Sequence, residues 1–411
     1  MKDGKRVILH CDLNNFYASV ECLYRPELRD KPVAVCGSQS TRHGIVLAKN
    51  MAAKAMGITT GEPVWKAASK CPGLIAVPPR YGLYLRFSSS VRDILLRYTN
   101  LVEAFGIDES WMDVTESTVL FGSGEEIAEK IRQSVKDELG ITVSVGVSFN
   151  KIFAKLGSDM RKPDIVTCIT EDNFREMIWG MPAGDLLYVG RSTAVKLSRA
   201  GIYTIGDLAL APPSFLTGKL GKWGETLWAF ANGYDAAPVC DSDFEHSIKG
   251  IGNSLTTPSD LTCNTDVKAL LHVLAESVAR RLRRHYLKGR TIQVWVRGAD
   301  LSSSQKQGKL PFYTYISGEI AEKAFELFKS FWRWDIGIRA AGVRVTDLAD
   351  AEKHIQLSFF PPGPRQRKEL VEHCVDGIRS RFGHYSVQKA FLLLEKAGET
   401  TGFNPFAPFR K

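Results

Sequence analysis

Long apolar runs are missing from this chain. No stretch approaches the roughly 18 residues that a membrane-spanning helix requires, and Met1-Lys-Asp-Gly-Lys-Arg6 has no signal-peptide core. The eight cysteines, at positions 11, 22, 36, 71, 168, 240, 263 and 374, form no Cys-x-x-Cys pair, and the eight histidines show no metal-ligand spacing. These absences argue against a zinc module or a disulfide framework, and point to a reducing cytoplasm without membrane association. Low-complexity tracts and internal repeats are also lacking, which argues against a solenoid.

Acid is the scarcer charge, with 45 Asp and Glu against 54 Lys and Arg and a formal net charge of +9. The surplus is uneven. Between Phe244 and Thr346 there are 16 Lys and Arg but only 9 Asp and Glu. A basic excess confined to one region suits a polyanion, most commonly nucleic acid, although solubility alone also accounts for a charge of this size. At 411 residues the chain exceeds one compact core, so about two to four domains are expected.

What is present begins with Arg6-Val-Ile-Leu-His-Cys-Asp12, an apolar run that reads as a buried strand delivering Asp12 to its C-terminal edge. Asn14 to Glu21 reads as a helix, Lys31–Cys36 and Gly44–Ala48 as strands, and Lys49–Met56 as a helix stopped by Gly57. Ser123 and Glu126 have capping-box spacing ahead of Ile127, Ile131, Val135 and Leu139, with Gly140 as the stop. Ile141–Val147 alternates as a strand. Val189-Gly190-Arg191 through Lys196, Gly201 and Leu208 has the pattern of a helix-hairpin-helix, whose turn aims backbone N–H groups at a phosphate; a plain helical hairpin fits the same residues. Tyr234–His246 reads as a linker. Beyond it the pattern runs strand, helix, strand, strand, helix, strand, which is a split-βαβ arrangement. Its first helix ends in Arg280-Arg-Leu-Arg-Arg284, more cations than a helix C-terminus needs, so phosphate contact is expected there. Gln356-Leu-Ser-Phe-Phe360, followed by prolines, suits an extended peptide docking in a partner's pocket, or equally a tail anchored on the chain's own core. Residues 365–382 read as a charged helix.

Two adjacent acids, Asp108 and Glu109, lie within Ala104-Phe-Gly-Ile-Asp-Glu-Ser-Trp-Met-Asp-Val114. The flanking apolar residues read as strand, tight bend and strand on a core. Carboxylates fixed on such a hairpin repel one another and favour a divalent cation, whereas a solvated acidic turn also fits the segment taken alone. Joined by Asp12, the three acids match the needs of two-metal phosphoryl transfer, with Lys54, Lys151 and Lys162 as candidate cations for phosphates.

Asp12-Leu-Asn-Asn-Phe-Tyr-Ala-Ser-Val-Glu21, Gly106-Ile-Asp-Glu-Ser-Trp-Met-Asp113 and Val145-Gly-Val-Ser-Phe-Asn-Lys-Ile-Phe-Ala-Lys-Leu156 with Asp159-Met-Arg-Lys-Pro163 closely resemble the Y-family translesion DNA polymerases. The likeness runs in order over about residues 5–350, and Asn50…Ala53-Lys54-Ala-Met-Gly57 looks closer to the UmuC branch than to DNA polymerase IV. The resemblance implies an α+β right hand: palm at 1–16 and 78–168, small fingers at 17–77, helix-hairpin-helix thumb at 169–235, a linker at 236–246, a split-βαβ little finger at 247–347, and a tail at 348–411. It further implies an error-prone, template-directed polymerase without proofreading. That enzyme is a monomer acting on primer-template DNA and deoxynucleoside triphosphates with two Mg2+ ions, for which Mn2+ can substitute. By motif position Asp12, Asp108, Glu109 and the Leu13 carbonyl hold metal. Phe16, Tyr17, Lys54 and Lys162 meet the triphosphate, and Tyr17 is the steric gate against a ribose 2′-OH. Ile45 and Leu47 roof the base pair. Expected DNA contacts are Gly190, Arg191, Lys196, Lys249, Arg281, Arg284, Arg297, Arg339 and Arg344. Gln356, Leu357, Phe359 and Phe360 resemble the peptide that binds the bacterial sliding clamp.

The chain also departs from that pattern. Asn14 replaces a common second Asp, while Met51 and Ala48 remove two hydroxyls from the triphosphate site. Tyr188-Val-Gly-Arg191 replaces a Pro-Gly-Ile-Gly turn. Two rival readings are a non-enzymatic adaptor binding the clamp and other polymerases, and a palm-type nucleotidyl cyclase. Retained acids disfavour the first; the cyclase has no use for the basic domain or the thumb motif.

Overall fold

A computed structural model of the chain describes residues 6–38, 44–243, 247–351 and 364–390. There are two compact units, the first, apart from the short stretch Ser38–Gly44, ending at Glu245 and the second starting at His246. In the first, β1 (Ile8–Leu13) leads into α1 (Phe16–Tyr24), followed by β2 (Val33–Cys36), β3 (Val46–Lys49), α2 (Met51–Ala55), α3 (Val64–Lys70) and β4 (Ile75–Val77). Next come α4 (Tyr81–Leu95), β5 (Val102–Ala104), β6 (Glu109–Asp113), α5 (Thr118–Phe121), α6 (Gly124–Leu139), β7 (Val143–Ser148), α7 (Lys151–Met160) and β8 (Val166–Ile169). Helices α8 (Phe174–Ile178), α9 (Arg191–Arg199), α10 (Ile205–Leu210), α11 (Pro213–Leu220) and α12 (Lys222–Ala231) complete the unit.

The apolar run of β1 takes the centre of a five-stranded sheet ordered β5-β6-β1-β7-β8, and all six of its residues are buried. Both of its neighbours are antiparallel to it. Helix α6 starts on the capping box of Ser123 and Glu126 and stops at Gly140 in the left-handed region (φ 67), as their spacing predicts. Helix α7 lies unusually close to the sheet. A Cβ on Gly146 would collide with the Ala154 carbonyl oxygen, and one on Gly157 would meet Gly146 Cα at 3.3 Å. This glycine pair lets α7 project its side chains over the end of β1. A separate three-stranded sheet, β3-β2-β4, has its own small core around Val46, Ile58 and Val64.

The stretch read as a linker is strapped along the first unit. Arg6 donates to the Ala237 carbonyl (2.8 Å), Cys240 N donates to Glu103 (2.9 Å), and Ser242 N to the Asn100 carbonyl (3.0 Å).

The second unit runs β9 (Gly250–Leu261), α13 (Asn264–Arg284), β10 (Leu287–Gly298), β11 (Ser303–Thr314), α14 (Ser317–Phe331), β12 (Ile338–Asp350) and α15 (Pro364–Phe382). Its sheet is antiparallel with order β11-β10-β12-β9. β12 therefore splits the β9-α13-β10 unit, and β10 splits β11-α14-β12, giving two interlocked split-βαβ units. Alternation sends Ile292, Val294, Val296, Val343 and Val345 into the helix-side core.

Helix α15 is held to this unit by charge. Arg283, buried on α13, pairs with Glu372 (2.9 Å) and Asp376 (2.6 Å), so it is not free for the phosphate contact expected of the Arg280–Arg284 cluster. Arg379 pairs with Glu276 (3.0 Å), and Glu372 accepts from the Ser317 amide (2.9 Å), capping α14 from outside.

Candidate active site

The three acids meet at the edge of the five-stranded sheet. Asp12 on β1 and Glu109 on β6 are register partners, while Leu13 N donates to the Asp108 carbonyl at 3.0 Å and closes the hairpin against β1. The turn expected at Asp108 and Glu109 is thus a core-anchored β5–β6 connection with Trp111 and Met112 buried behind it. Asp12 is 5% exposed.

From α7, Lys155 Nζ lies 3.0 Å from each of Asp12, Glu109 and Asp159. Lys162 Nζ lies 2.6 Å from Asp12 and 2.9 Å from Asp159. Burial, then the charges of Glu109 and Asp12, push Asp108 up to about 6. Burial also raises Asp12, although Lys155 and Lys162 oppose it. At Glu109 burial is outweighed by His10 and Lys155, which hold it down at about 2. Burial works against the Lys155 ammonium, but Asp12, Asp159 and Glu109 outweigh it and raise its pKa above the ordinary value.

Among the described residues no three Asp, Glu, His or Cys side chains are already spaced as a metal cage. Two of the acids are turned onto Lys155 instead. The donor set nevertheless suits a hard divalent cation, being three carboxylates crowded enough to push Asp108 toward protonation.

Behind Glu109 stands His10, fully buried, its Nε2 3.4 Å from Glu109 Oε2 and its Nδ1 2.8 Å from Ser158 Oγ. Burial lowers its pKa, against Glu109, which raises it. Its ring meets Trp111 edge-on at 5.2 Å.

Tyr17, half-buried at the start of α1, stacks on Tyr84 with centroids 4.2 Å apart and planes 11° apart. Tyr84 donates its hydroxyl to the fully buried Glu21 (2.7 Å), which Arg80 grips with two hydrogen bonds of 2.9 and 2.7 Å. Burial, then Asp108 and Tyr81, raise the Tyr17 pKa. Phe16 is buried against it.

Asn14 is structural. Its amide donates to Ser144 Oγ (2.9 Å) and its oxygen accepts from Asp164 N (2.8 Å), bracing the turn that carries Lys162. Lys151 departs from expectation. It pairs with Glu103 (2.6 Å) and lies 4.5 Å over the Trp111 ring, leaving Lys155, one turn on, to reach the acids. Lys155 is absent from the expected cations, yet its i,i+4 spacing to Asp159 on α7 is a signal that could have found it.

Other expected residues lie away from the acids. Lys54 is exposed on α2 and pairs with none of them, Ile45 and Leu47 flank buried Val46 at the start of β3, and Met51 is exposed. Gly190 is the N-cap of α9, with Arg191 and Lys196 exposed beside it. Tyr188 holds the preceding turn at φ 71, a region that favours glycine, with its ring 5.9 Å from Trp223.

In the second unit the basic residues divide between layers. Arg297 and Arg344 stand on the open sheet face with Trp295 and Gln293, whereas Arg281 and Arg284 belong to α13, Arg281 donating to the Gly252 carbonyl at 2.9 Å. Lys249 is exposed just before β9 and Arg339 is half-buried on β12. Gln356, Leu357, Phe359 and Phe360 lie outside the described residues.

Comparison with known proteins covers most of the chain. The impB/mucB/samB family matches residues 11–159, and its C-terminal domain matches residues 248–359. A DNA polymerase IV of Acetivibrio thermocellus is 58% identical over 95% of this chain and 98% of its own length. DNA polymerase IV 2 of Halalkalibacterium halodurans is 37% identical over 96% and 97%. Among solved structures, the Y-family DNA polymerase chimera Dbh-Dpo4(243-245)-Dbh matches with TM-score 0.73 and 25% identity, covering 83% of this chain and 98% of that one. These relatives carry the DNA polymerase IV name, not that of the UmuC branch suggested by Asn50 to Gly57.

Proposed function

Because the chain belongs to the impB/mucB/samB family of bacterial Y-family DNA polymerases, it is a DNA-directed DNA polymerase of translesion synthesis, and we propose that Asp12, Asp108 and Glu109 form its catalytic centre. The observation that carries this reading is the register pairing of Asp12 with Glu109, which fixes carboxylates from distant segments on one sheet edge. The family is divalent-metal dependent. The three acids, with the Leu13 carbonyl, would hold two Mg2+ or Mn2+ ions. When bound, such ions lower the pKa of the primer 3′-hydroxyl and neutralise charge building on the triphosphate.

The chain's own residues do the positioning. Lys162, now paired with Asp12, turns to the triphosphate, joined by Lys54 and the Phe16 and Tyr17 amides. The rigid Tyr17–Tyr84 stack keeps the gate ring where a 2′-hydroxyl would lie. Lys155 neutralises the acids while the site is free of nucleotide.

Residues 1–16 and 78–168 are the palm, 17–77 the fingers with Ile45 and Leu47 as roof, 169–235 the thumb, 236–246 the linker and 247–347 the little finger. Gly190, Arg191 and Lys196 grip the primer-template backbone, and Lys249, Arg281, Arg284, Arg297, Arg339 and Arg344 supply the second unit's contacts. Gln356–Phe360 engages the sliding clamp. The α13 cluster contributes less than its sequence suggests, since Arg283 is committed to α15.

The test is primer extension by the full chain on undamaged and lesion-bearing templates, with and without clamp. Metal-dependent extension across a lesion, lengthened by clamp, is expected. Failure to extend any template would overturn the proposed centre.

A further inference from the structure

His10 Nε2 and Glu109 Oε2 are both buried atoms that make no hydrogen bond of ordinary geometry, and they face one another at 3.4 Å. Lys155 Nζ lies 3.0 Å from the same carboxylate oxygen, from the α7 side. The far ring nitrogen is fixed by Ser158 Oγ at 2.8 Å, and Ser158 is 1% exposed. A carboxylate only accepts, so Glu109 selects the tautomer with the proton on Nε2, and Nδ1 then accepts from the Ser158 hydroxyl. The Lys155 carbonyl, 2.8 Å from that hydroxyl, competes for its proton. Trp111, edge-on to the ring, removes the space in which it could turn.

From this arrangement we infer that His10 is a positioning residue for metal binding: Ser158–His10–Glu109 is a relay of hydrogen bonds that fixes one Glu109 oxygen inward and leaves the other for the cation. The inference rests on the reading of Glu109 as a metal ligand. A 3.4 Å contact is long for a hydrogen bond, so the relay is poised to tighten when Glu109 takes up a cation in place of Lys155. Groups of this kind behind a ligand tune affinity because they fix its orientation before the ion arrives. The glycine pair Gly146 and Gly157 serves the same end, since only a close-lying α7 lets Ser158 reach the His10 ring.

The experiment compares His10→Phe, which keeps the ring's bulk, with His10→Gln, which restores an N–H donor. Mn2+ binding is read by paramagnetic resonance on the full chain with dideoxy-terminated primer-template and a matched nucleotide, alongside kcat and KM for nucleotide. In His10→Phe, Mn2+ affinity and kcat should fall by about 10–100-fold, with KM and DNA affinity near wild type; in His10→Gln they should return to within about threefold. Unchanged Mn2+ binding in His10→Phe overturns the inference, as does a His10→Gln protein as weak as His10→Phe. Should His10→Phe not fold, Ser158→Ala reads the same relay at little cost in volume, and unchanged Mn2+ affinity there overturns it equally. Glu109→Gln separates the two readings: wild-type Mn2+ binding by that variant sinks the ligand assignment itself.

Discussion

Asp12 and Glu109 face each other as direct register partners on adjacent antiparallel strands, and a single lysine, Lys155, lies 3.0 Å from both. The acids are therefore fixed by backbone pairing and not by side-chain choice. What differs among the three is electrostatics. Asp108, which pairs with neither lysine, is the one driven up to about 6 by burial and by its neighbours. Such a group is stabilised most by a cation brought next to it.

Replacing Asp12 by Asn should keep the fold and abolish turnover. The amide is isosteric but removes a full charge from the proposed metal set, a loss of several kcal/mol at the transition state, or about 10^3-fold in rate. Single-nucleotide incorporation by Asp12→Asn and Asp108→Asn, with melting measured in parallel, checks this. A variant turning over within about tenfold of wild type would show that the altered acid is not a ligand.

Gly146→Ala should damage activity without touching the site. The added Cβ meets the Ala154 carbonyl and the Ser158 amide, both of them helix backbone, so α7 must lift from the sheet. Overpacking costs about 1–3 kcal/mol in stability. It also withdraws Lys155 and Ser158 from their partners. Thermal unfolding and incorporation rate should fall together; an alanine variant with wild-type rate would mean that close approach of α7 is dispensable.

How legible this was depends on sequence distance. The buried β1 run, the Ser123–Glu126 capping box, the Gly140 stop and the β-α-β-β-α-β order were readable because each is decided by residues within a few positions or one helical turn. The acids were readable as a hairpin, yet their meeting with Asp12 depends on a register that no local pattern encodes. Lys151 and Lys155 show the same limit. They stand one turn apart on α7, and only packing of that helix on the sheet sends the first to Glu103 and the second to Asp12, 143 positions away. Arg283 looked like a phosphate contact because its partners, Glu372 and Asp376, belong to a helix that composition marks merely as charged.

Glu372→Ala should loosen the second unit more than Arg283→Met. The first leaves a buried guanidinium with one partner fewer and uncaps α14, whereas methionine removes the buried charge and leaves Glu372 and Asp376, both of which reach solvent. Leaving a buried charge without its partner costs about 3–5 kcal/mol, and the partly exposed carboxylates that methionine leaves behind are hydrated and cost less. Hydrogen exchange at the α14 N-terminus and along α15 reports this in the full chain. Equal protection in the two variants would remove the argument.

Acid should weaken the second unit through His272. Burial, then Lys389 and Lys268, depress this side chain from 6.5 to about 4. The unfolded state therefore takes up its proton at higher pH than the folded one. The stability is fully present above about pH 6.5 and is lost as pH falls toward 4, a total of roughly 3 kcal/mol. Exchange protection of α13, corrected for intrinsic rates, should drop over that window. His272→Leu should flatten the dependence, and an unaltered slope in that variant would assign the effect to other groups.

Sugar selection should depend on residues behind Tyr17, the proposed gate, as well as on Tyr17 itself. Tyr17 is held flat against Tyr84 at 4.2 Å, and Tyr84 is in turn fixed by a hydroxyl bond to buried Glu21, clamped by Arg80. Tyr17→Ala removes the ring and should lower discrimination against ribonucleotides by about 10^2-fold, the scale of a few kcal/mol of steric exclusion. Tyr84→Leu leaves the ring but removes its stacking support and strands Glu21 with Arg80 alone. The ring can then yield, so discrimination should fall by a smaller factor, about tenfold, while deoxynucleotide incorporation changes little. Ratios of kcat/KM for matched ribo- and deoxynucleotides, measured for both variants, decide it. Full discrimination in Tyr84→Leu would mean that the gate holds its position without the stack, and full discrimination in Tyr17→Ala would remove Tyr17 from the role.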